Sequence, residues 1–480
     1  MLHFYLPIVF SLAFARAQTS SAPTCSTTLT PKNAAPSVAS GWEAMVVATG
    51  LTSPRGIIFD SSGHLLVVQQ GKGIGSLSLT DNGGACVIAG QPSDVILDGT
   101  LNHGIELSSD GKTLYASSAE AVYSWSYDPA SSKNTSTPRQ LVGGMSTSDH
   151  TTRTLLLSRK AEGMLMVSRG STSNLDALAE DITSGHSQIK AFNITSATSL
   201  YDYNTDGLLL GWGLRNSVGV AEEPITGGIY SVENSVDEMV RDGQNIHQDN
   251  PGEEMNFHGY LNGAKYAQQG GNYGYPSCFA AWDVGTIPNN TGLQVGTQFA
   301  IGNQNATIND TFCKNDRVAP RLTFQAHTAP LDMKFNDNGS AAWVTFHGSW
   351  DRIDPIGYKL SVVGFSNGSP IESANSSTAA IDIVSNLDLS KCPNNCFRPV
   401  GLAWDSKGRL FMSSDTTGEI YVVVRADGSS ANSASPFSGL PPTGTASAAT
   451  TSSTKRSAAP RHMRSSWTLL IAFLVASIFM

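Results

Sequence analysis

The chain has 480 residues, 40% hydrophobic and only 14% charged, with 46 Gly, 22 Pro and a formal net charge of −9. That length buries one large core or two ordinary ones. So little charge excludes coiled coils and long solvated helices, and the acidic balance excludes a nucleic-acid binder, which needs a basic stripe to displace counterions from phosphate.

At the N-terminus, residues 2–14 (LHFYLPIVFSLAF) form an apolar run too short to span a bilayer, and Ala15, Arg16, Ala17 and Gln18 follow it. The pattern predicts a cleaved signal peptide over residues 1–17, with a buried helix as the alternative. A segment over 18–39 leads into the folded part. Eight N-x-S/T sequons, at Asn134, Asn193, Asn289, Asn305, Asn309, Asn338, Asn367 and Asn375, fit a secreted glycoprotein. In an oxidising compartment Cys25, Cys86, Cys278, Cys313, Cys392 and Cys396 are expected to form disulfides. Sequence alone allows about fifteen pairings. Proximity favours Cys392 with Cys396, then Cys278 with Cys313 and Cys25 with Cys86. The Cys-x₃-Cys spacing has no histidine near it to complete a zinc site.

One pattern then recurs: a polar residue, an apolar strand, a Gly-containing turn and a second apolar strand. It occurs at 54–68 (PRGIIFDSSGHLLVV), 102–116 (NHGIELSSDGKTLYA) and 152–167 (TRTLLLSRKAEGMLMV). It returns at 215–232 (RNSVGVAEEPITGGIYSV), 329–344 (APLDMKFNDNGSAAWV) and 398–413 (RPVGLAWDSKGRLFMS). Each is a hairpin by its chemistry. The spacing leaves room for two further strands per unit, which predicts an all-β, six-bladed β-propeller over residues 40–428. The long gap over 233–328 is expected to hold an insertion or a blade with extended loops. Within it the acidic run DNPGEE (249–254) lacks EF-hand spacing and reads as a solvated loop.

After the propeller, residues 429–459 are Ser/Thr/Ala/Pro-rich, as in an O-glycosylated stalk. Residues 460–480 pair a polar spacer with the apolar tail Trp467 to Met480, behind the small trio Ser457, Ala458 and Ala459. This is a GPI-anchor signal, with Ser452, Ser453 and Ser457 all eligible to carry the anchor; a tail anchor is the weaker reading. The expected location is the cell surface.

In a propeller, residues just before each inner strand gather at one end of the central channel. Here these are Arg55, His103, His150 with Arg153, Arg215 with Asn216, His327, and Arg398. Entry to an apolar strand requires neither cations nor imidazoles. Their recurrence predicts a positively disposed pocket for a small polyanion, since arginine recognises carboxylates bidentately. The bland alternative is that each caps a turn or pairs with a surface carboxylate.

These residues carry a resemblance. With Asp149-His150, LRN (214–216), GGNYGYP (270–276), FHGSWDR (346–352) and FRPVGL (397–402), the chain resembles the pyrroloquinoline quinone (PQQ) sugar dehydrogenases. It resembles especially the fungal pyranose dehydrogenase quinone domain and the bacterial sorbosone dehydrogenases, over roughly residues 45–425. The resemblance implies PQQ at the channel mouth and His150 as general base toward the sugar hydroxyl. Asp149 would orient His150, or else be a plain turn residue. Arg215 would face the quinone oxygens, with Asn216 donating to the cofactor and Arg398 clamping a carboxylate. His103 occupies a position of polar cofactor contact, Lys72 in the QQGKG loop would reach a carboxylate, and Trp350 would wall the sugar site unless it is a core residue. The resemblance also implies Ca²⁺ on backbone carbonyls of Glu233, Asn234 and Ser235, where bacterial glucose dehydrogenases favour Gly-Pro. No haem domain or cellulose-binding module is expected beside the propeller, so electrons would pass to an external acceptor, a separate secreted haem protein or a copper enzyme. The rival readings are a cofactor-free adhesion or scaffold propeller and a calcium-dependent hydrolase; the latter would need several carboxylates around a central metal.

Overall fold

The computed structural model describes residues 25–195 and 199–432. The expected signal peptide, most of the stalk and the anchor signal lie outside them. Six antiparallel four-stranded sheets are present, two of them with short added strands.

Each predicted hairpin is the inner half of one sheet. Blade 1 comprises Pro54–Phe59, Leu65–Gln69, Gly73–Leu77 and Ser93–Ile96. Blade 2 comprises Leu101–Leu107, Thr113–Ser118, Val122–Asp128 and Arg139–Gly143. Blade 3 runs Leu155–Leu157, Met164–Arg169, Gln188–Asn193 and Leu208–Trp212. Blade 4 runs Ser217–Glu222, Gly228–Glu233, Glu253–Tyr260 and Leu322–Phe324. Blade 5 is Pro330–Phe335, Ala341–Phe346, Lys359–Ser366 and Ala380–Ser385. Blade 6 takes three strands from the C-terminal side, Pro399–Trp404, Leu410–Ser414 and Glu419–Arg425. Its fourth, Trp42–Ala48, comes from the N-terminal side. That pairing closes the ring through backbone hydrogen bonds between the two ends of the propeller, with Trp42–Ala48 as the outermost strand of blade 6.

The core is distributed between blades. Trp42, Trp343, Leu360, Val362 and Leu410 fill the layer between blades 5 and 6, with Trp42 and Trp343 packed edge to face at 5.1 Å. Comparable layers lie between the other neighbours. Each fully buried Val, Leu or Ile contributes about 1.5–3 kcal/mol. At the axis the inner strands come so close that the Gly in the repeated motif is a packing requirement. A Cβ on Gly56 would overlap the His103 carbonyl of blade 2, and one on Gly401 would overlap the Arg55 carbonyl of blade 1. Val218, Leu331 and Val400 form a separate apolar cluster contributed by the inner strands of blades 4, 5 and 6.

The long gap resolves into both expected features. It supplies the outer strands of blade 4, a small hairpin ahead of them and, between them, a second small hairpin and the helix Asp310–Asp316. Arg241, fully buried, anchors this insertion by a bidentate pair with Asp310 at 2.7 Å. The disulfides are Cys25–Cys86, Cys278–Cys313 and Cys392–Cys396, the pairing that proximity favours.

Candidate active site

All six inner strands run from one channel mouth to the other. Residues ahead of them, and residues leaving each second strand, therefore meet at the entry mouth. A cavity of about 200 Å³ there is lined by His150, Arg215, Asn216, Asn234, Ser235, Trp350 and Arg398 from the predicted set. It is also lined by Asp237, Glu253, His327 and His347. Trp350 is 65% exposed, so it stands at the rim and is no core residue.

Six predicted residues do not line it, Arg55 and Arg153 among them. Lys72 pairs with Asp94 at 3.3 Å. His103, buried, accepts a 3.3 Å hydrogen bond from Arg55 Nε at Nδ1. Glu233 is buried beneath the cavity floor, accepting from the Arg215 amide. Asp149 is exposed and makes no hydrogen bond to His150. Its predicted orienting role falls to Ser171.

The His150 environment fixes a tautomer. Nδ1 lies 2.8 Å from Ser171 Oγ and 3.2 Å from the Ser171 carbonyl. The Ser171 hydroxyl donates its one proton to the Ser173 carbonyl at 2.8 Å. Both groups facing Nδ1 must then accept, so the imidazole proton sits on Nδ1 and Nε2 carries the lone pair. No group among the described residues bonds Nε2. Burial, helped by the Arg215 charge, pushes the imidazole down to about 4, so it is a neutral base at physiological pH. Behind it the fully buried Arg153 donates to the carbonyls of His150, Thr152 and Met145, each at 2.7 Å, which holds the loop carrying the base.

Arg215 is 4% exposed and held from several sides. Its Nη2 donates to Asp237 and to Asn174 Oδ1, both at 2.8 Å, and its Nε to the Asn174 carbonyl at 3.2 Å. Across the cavity Arg398 donates through Nε and Nη2 to the carbonyls of His347 and Gly348, at 3.0 and 2.8 Å. Asp415 joins His347 at 2.9 Å to Arg55 at 2.8 Å. Although burial opposes it, those two partners hold the Asp415 carboxyl well below the usual carboxylate range.

The pocket expected to be positively disposed also holds acids, Asp237 and Glu253, interleaved with its cations. The reading of 249–254 as a solvated loop is overturned. Glu253 and Glu254 begin the third strand of blade 4 and are 3% and 4% exposed. Glu253 accepts from the amides of Ser235 (2.7 Å) and Ala329 (3.1 Å), tying blade 4 to the entry of blade 5. There His327 and Ala329 have φ of 62° and 53°, a left-handed backbone that costs non-glycine residues energy and clusters at functional sites. Burial raises the carboxyls of Glu233, Glu253 and Glu254, the last to about 7. Amides and the Asn256 and Gln298 side chains absorb these carboxylates, so they do not make the metal-centred carboxylate ring of a hydrolase.

Asp237, His327 and Asp351 place potential ligand atoms within 4.8 Å of one another. His327 donates Nε2–H to the His247 carbonyl. Despite burial, Asp237 and Glu253 raise its pKa. Ser171, Asn174, Asp237, His347 and Asp415 escaped sequence reasoning, although FHGSWDR contains His347 and the rule that second strands return to the entry mouth points to it.

A ring of six blades thus carries, at its entry mouth, a cavity that presents a neutral imidazole and two guanidiniums. The chain belongs to the TrAA12-like family, whose model matches residues 36–426. It is 49% identical over 396 residues to the "Pyrroloquinoline quinone-dependent sugar dehydrogenase" of Hypocrea jecorina, covering 82% of this chain and 90% of that one. Among solved structures, the calcium structure of the Trichoderma reesei carbohydrate-active enzyme of family AA12 is 49% identical with a TM-score of 0.81. That match covers 84% of this chain and 100% of the other. The holo form of the pyranose dehydrogenase PQQ domain from Coprinopsis cinerea is 36% identical with a TM-score of 0.77, over 83% and 99% of the two chains.

Proposed function

We propose that the protein is a PQQ- and Ca²⁺-dependent dehydrogenase that oxidises a hydroxyl or hemiacetal of a pyranose, ketose or glucosone-type sugar. The observation that carries this reading is His150 Nε2, an unprotonated and unpartnered base facing a cavity that also presents Arg215, Asn216 and Arg398.

The donor set suits a tricarboxylate quinone. The Asn216 side-chain amide has no hydrogen-bond partner among the described residues, and Arg398 Nη1 is likewise uncommitted once its other nitrogens serve carbonyls. Arg398 would clamp a carboxylate, Asn216 would donate to the ring system, and Arg215 would stabilise negative charge at the quinone oxygens. His103 and Arg55 support this wall through Asp415 and His347. Ca²⁺ prefers hard oxygen donors. Of the loop Glu233, Asn234 and Ser235, the last two line the cavity and would offer carbonyls, with Asp237 beside them and Asp351 further out to supply charge.

PQQ, when bound, supplies an o-quinone that accepts hydride from the sugar carbon. His150 Nε2 takes the hydroxyl proton, and the imidazolium so formed stays hydrogen-bonded through Nδ1–H to Ser171. Trp350 at the rim offers an aromatic face to the C–H surface of a sugar. A fixed-tautomer base on an open cavity has no purpose in a scaffold. Reduced cofactor would pass electrons to an external acceptor such as a separate haem or copper protein. Secretion, glycosylation and a GPI anchor complete the reading. In their support, none of the eight sequon asparagines is buried.

Reconstituting the purified protein with PQQ and Ca²⁺ and following dye reduction across a sugar panel tests the proposal. Turnover that needs PQQ, Ca²⁺ and a sugar is expected; no turnover with any sugar would discard it.

A further inference from the structure

The GGNYGYP segment carries much of the likeness to known quinoproteins, yet no residue of it lines the cavity. Its Tyr275 is 2% exposed, with its ring among Phe279, Ile246 and Phe299. The phenol oxygen ends inside the loop 171–176, which follows the second strand of blade 3. It accepts the Asp176 amide at 2.6 Å and directs its single proton at the Asn174 carbonyl (3.0 Å), with the Ser173 carbonyl at 3.2 Å.

That loop touches both reactive groups of the cavity. At one end the Ser171 hydroxyl is pinned by the Ser173 carbonyl and accepts His150 Nδ1–H. At the other end Asn174 accepts twice from the Arg215 guanidinium, and it clasps Asp237 by two hydrogen bonds of 2.9 Å. One oxygen atom therefore anchors the loop that sets the imidazole tautomer and the guanidinium pose together.

We infer that Tyr275 is a positioning residue, whose hydroxyl holds loop 171–176 so that His150 keeps its lone pair on Nε2 and Arg215 keeps its place at the same cavity. The inference rests on the proposed dehydrogenase reading for its kinetic consequence, whereas its structural consequence stands in the apoprotein. Tyr275→Phe keeps the ring and its packing but leaves the Asp176 amide without its buried acceptor, while the Ser173 and Asn174 carbonyls keep only Ser171 Oγ and Arg215 Nε as donors. The loop then relaxes, and the two acceptors of Nδ1–H move with it.

The test is ¹⁵N NMR of apoprotein labelled at histidine, with the His150 signal identified by its loss in His150→Gln. Wild type is expected to show the Nδ1–H tautomer alone. Tyr275→Phe is expected to show a mixture, and in loaded enzyme a kcat lower by about tenfold to a hundredfold with KM changed far less, the scale of a small misplacement of a reacting group. Phe279→Leu, which loosens the same apolar cluster without touching the phenol oxygen, is expected to lower Tm and leave the tautomer alone. An unchanged tautomer in Tyr275→Phe overturns the inference, even if kcat falls. Should that variant not fold, amide hydrogen exchange in the wild type decides: an Asp176 amide as protected as the blade strands supports the inference, and one that exchanges like an exposed loop amide overturns it. Absence of any PQQ-dependent turnover in wild type would remove the dehydrogenase reading and leave the NMR result to judge the tautomer.

Discussion

The two mouths of the channel are built from opposite ends of the same six inner strands, and the larger is not the candidate active site. The far mouth holds a cavity of about 500 Å³ lined by Glu106, Arg159, Glu222 and Lys334. Its charges answer one another: Glu106 pairs with Arg159 at 3.1 Å, and Glu222 accepts from the Ser158 hydroxyl and the Arg159 amide. The entry mouth has about 200 Å³, yet among the described residues nothing bonds the Asn216 side-chain amide or His150 Nε2 there. Leu331, which lines the entry cavity, packs with Val218 and Val400 at its floor. Volume therefore says less about function than the number of directed polar groups the protein itself does not satisfy.

The largest expected effect separates the mouths by chemistry. His150→Ala is expected to bind PQQ as wild type does while kcat falls by about 10²–10⁴-fold, the usual contribution of a general base. Glu106→Gln at the far mouth is expected to change neither. Steady-state kinetics on both variants check this, and comparable losses would erase the distinction.

A second contrast lies in pH. Burial raises Glu106 to about 7 from an ordinary 4.5, so the folded chain keeps a proton that the unfolded chain has released. Stability is then lost as pH rises from about 4.5 to 7. His150 works in the opposite sense. Lowered from 6.5 to about 4, it takes up its proton first in the unfolded chain, so stability is lost as pH falls from 6.5 toward 4. Thermal melts are expected to show Glu106→Gln gaining on wild type toward pH 7 and His150→Gln gaining toward pH 4. Parallel curves at all pH values would contradict both assignments.

The smallest effect concerns Asp149. Exposed and unbonded to His150, it acts on the imidazole only through its solvent-screened charge, so Asp149→Asn is expected to alter kcat/KM less than about threefold. A loss near that of His150→Ala would restore it as the orienting residue.

The entry mouth was half legible in the sequence. Strand alternation and turn glycines recur visibly, and the entry positions follow from them, which is why His150, Arg215, Asn216 and Arg398 could be named together. Asp149 was chosen by adjacency, but it lies in an exposed bend, and neighbours in sequence need not share a side-chain contact. The true partner, Ser171, lies 21 positions away in a loop whose path no periodicity encodes. Glu253 and Glu254 were misplaced because charge normally signals solvent. The backbone amides that absorb them belong to other loops, and pairing of that kind leaves no mark in a linear pattern. Lys72 fell to the same blindness, since Asp94 reaches it from the outer strand of its own blade.

The most direct measurement is a calorimetric titration of PQQ into Ca²⁺-loaded protein, wild type beside Arg398→Ala. One tight site is expected in wild type. In Arg398→Ala affinity is expected to fall about tenfold to a hundredfold, the worth of one charge-assisted hydrogen bond. No binding to wild type, or equal binding to both, would contradict the placement of the cofactor at the narrow mouth.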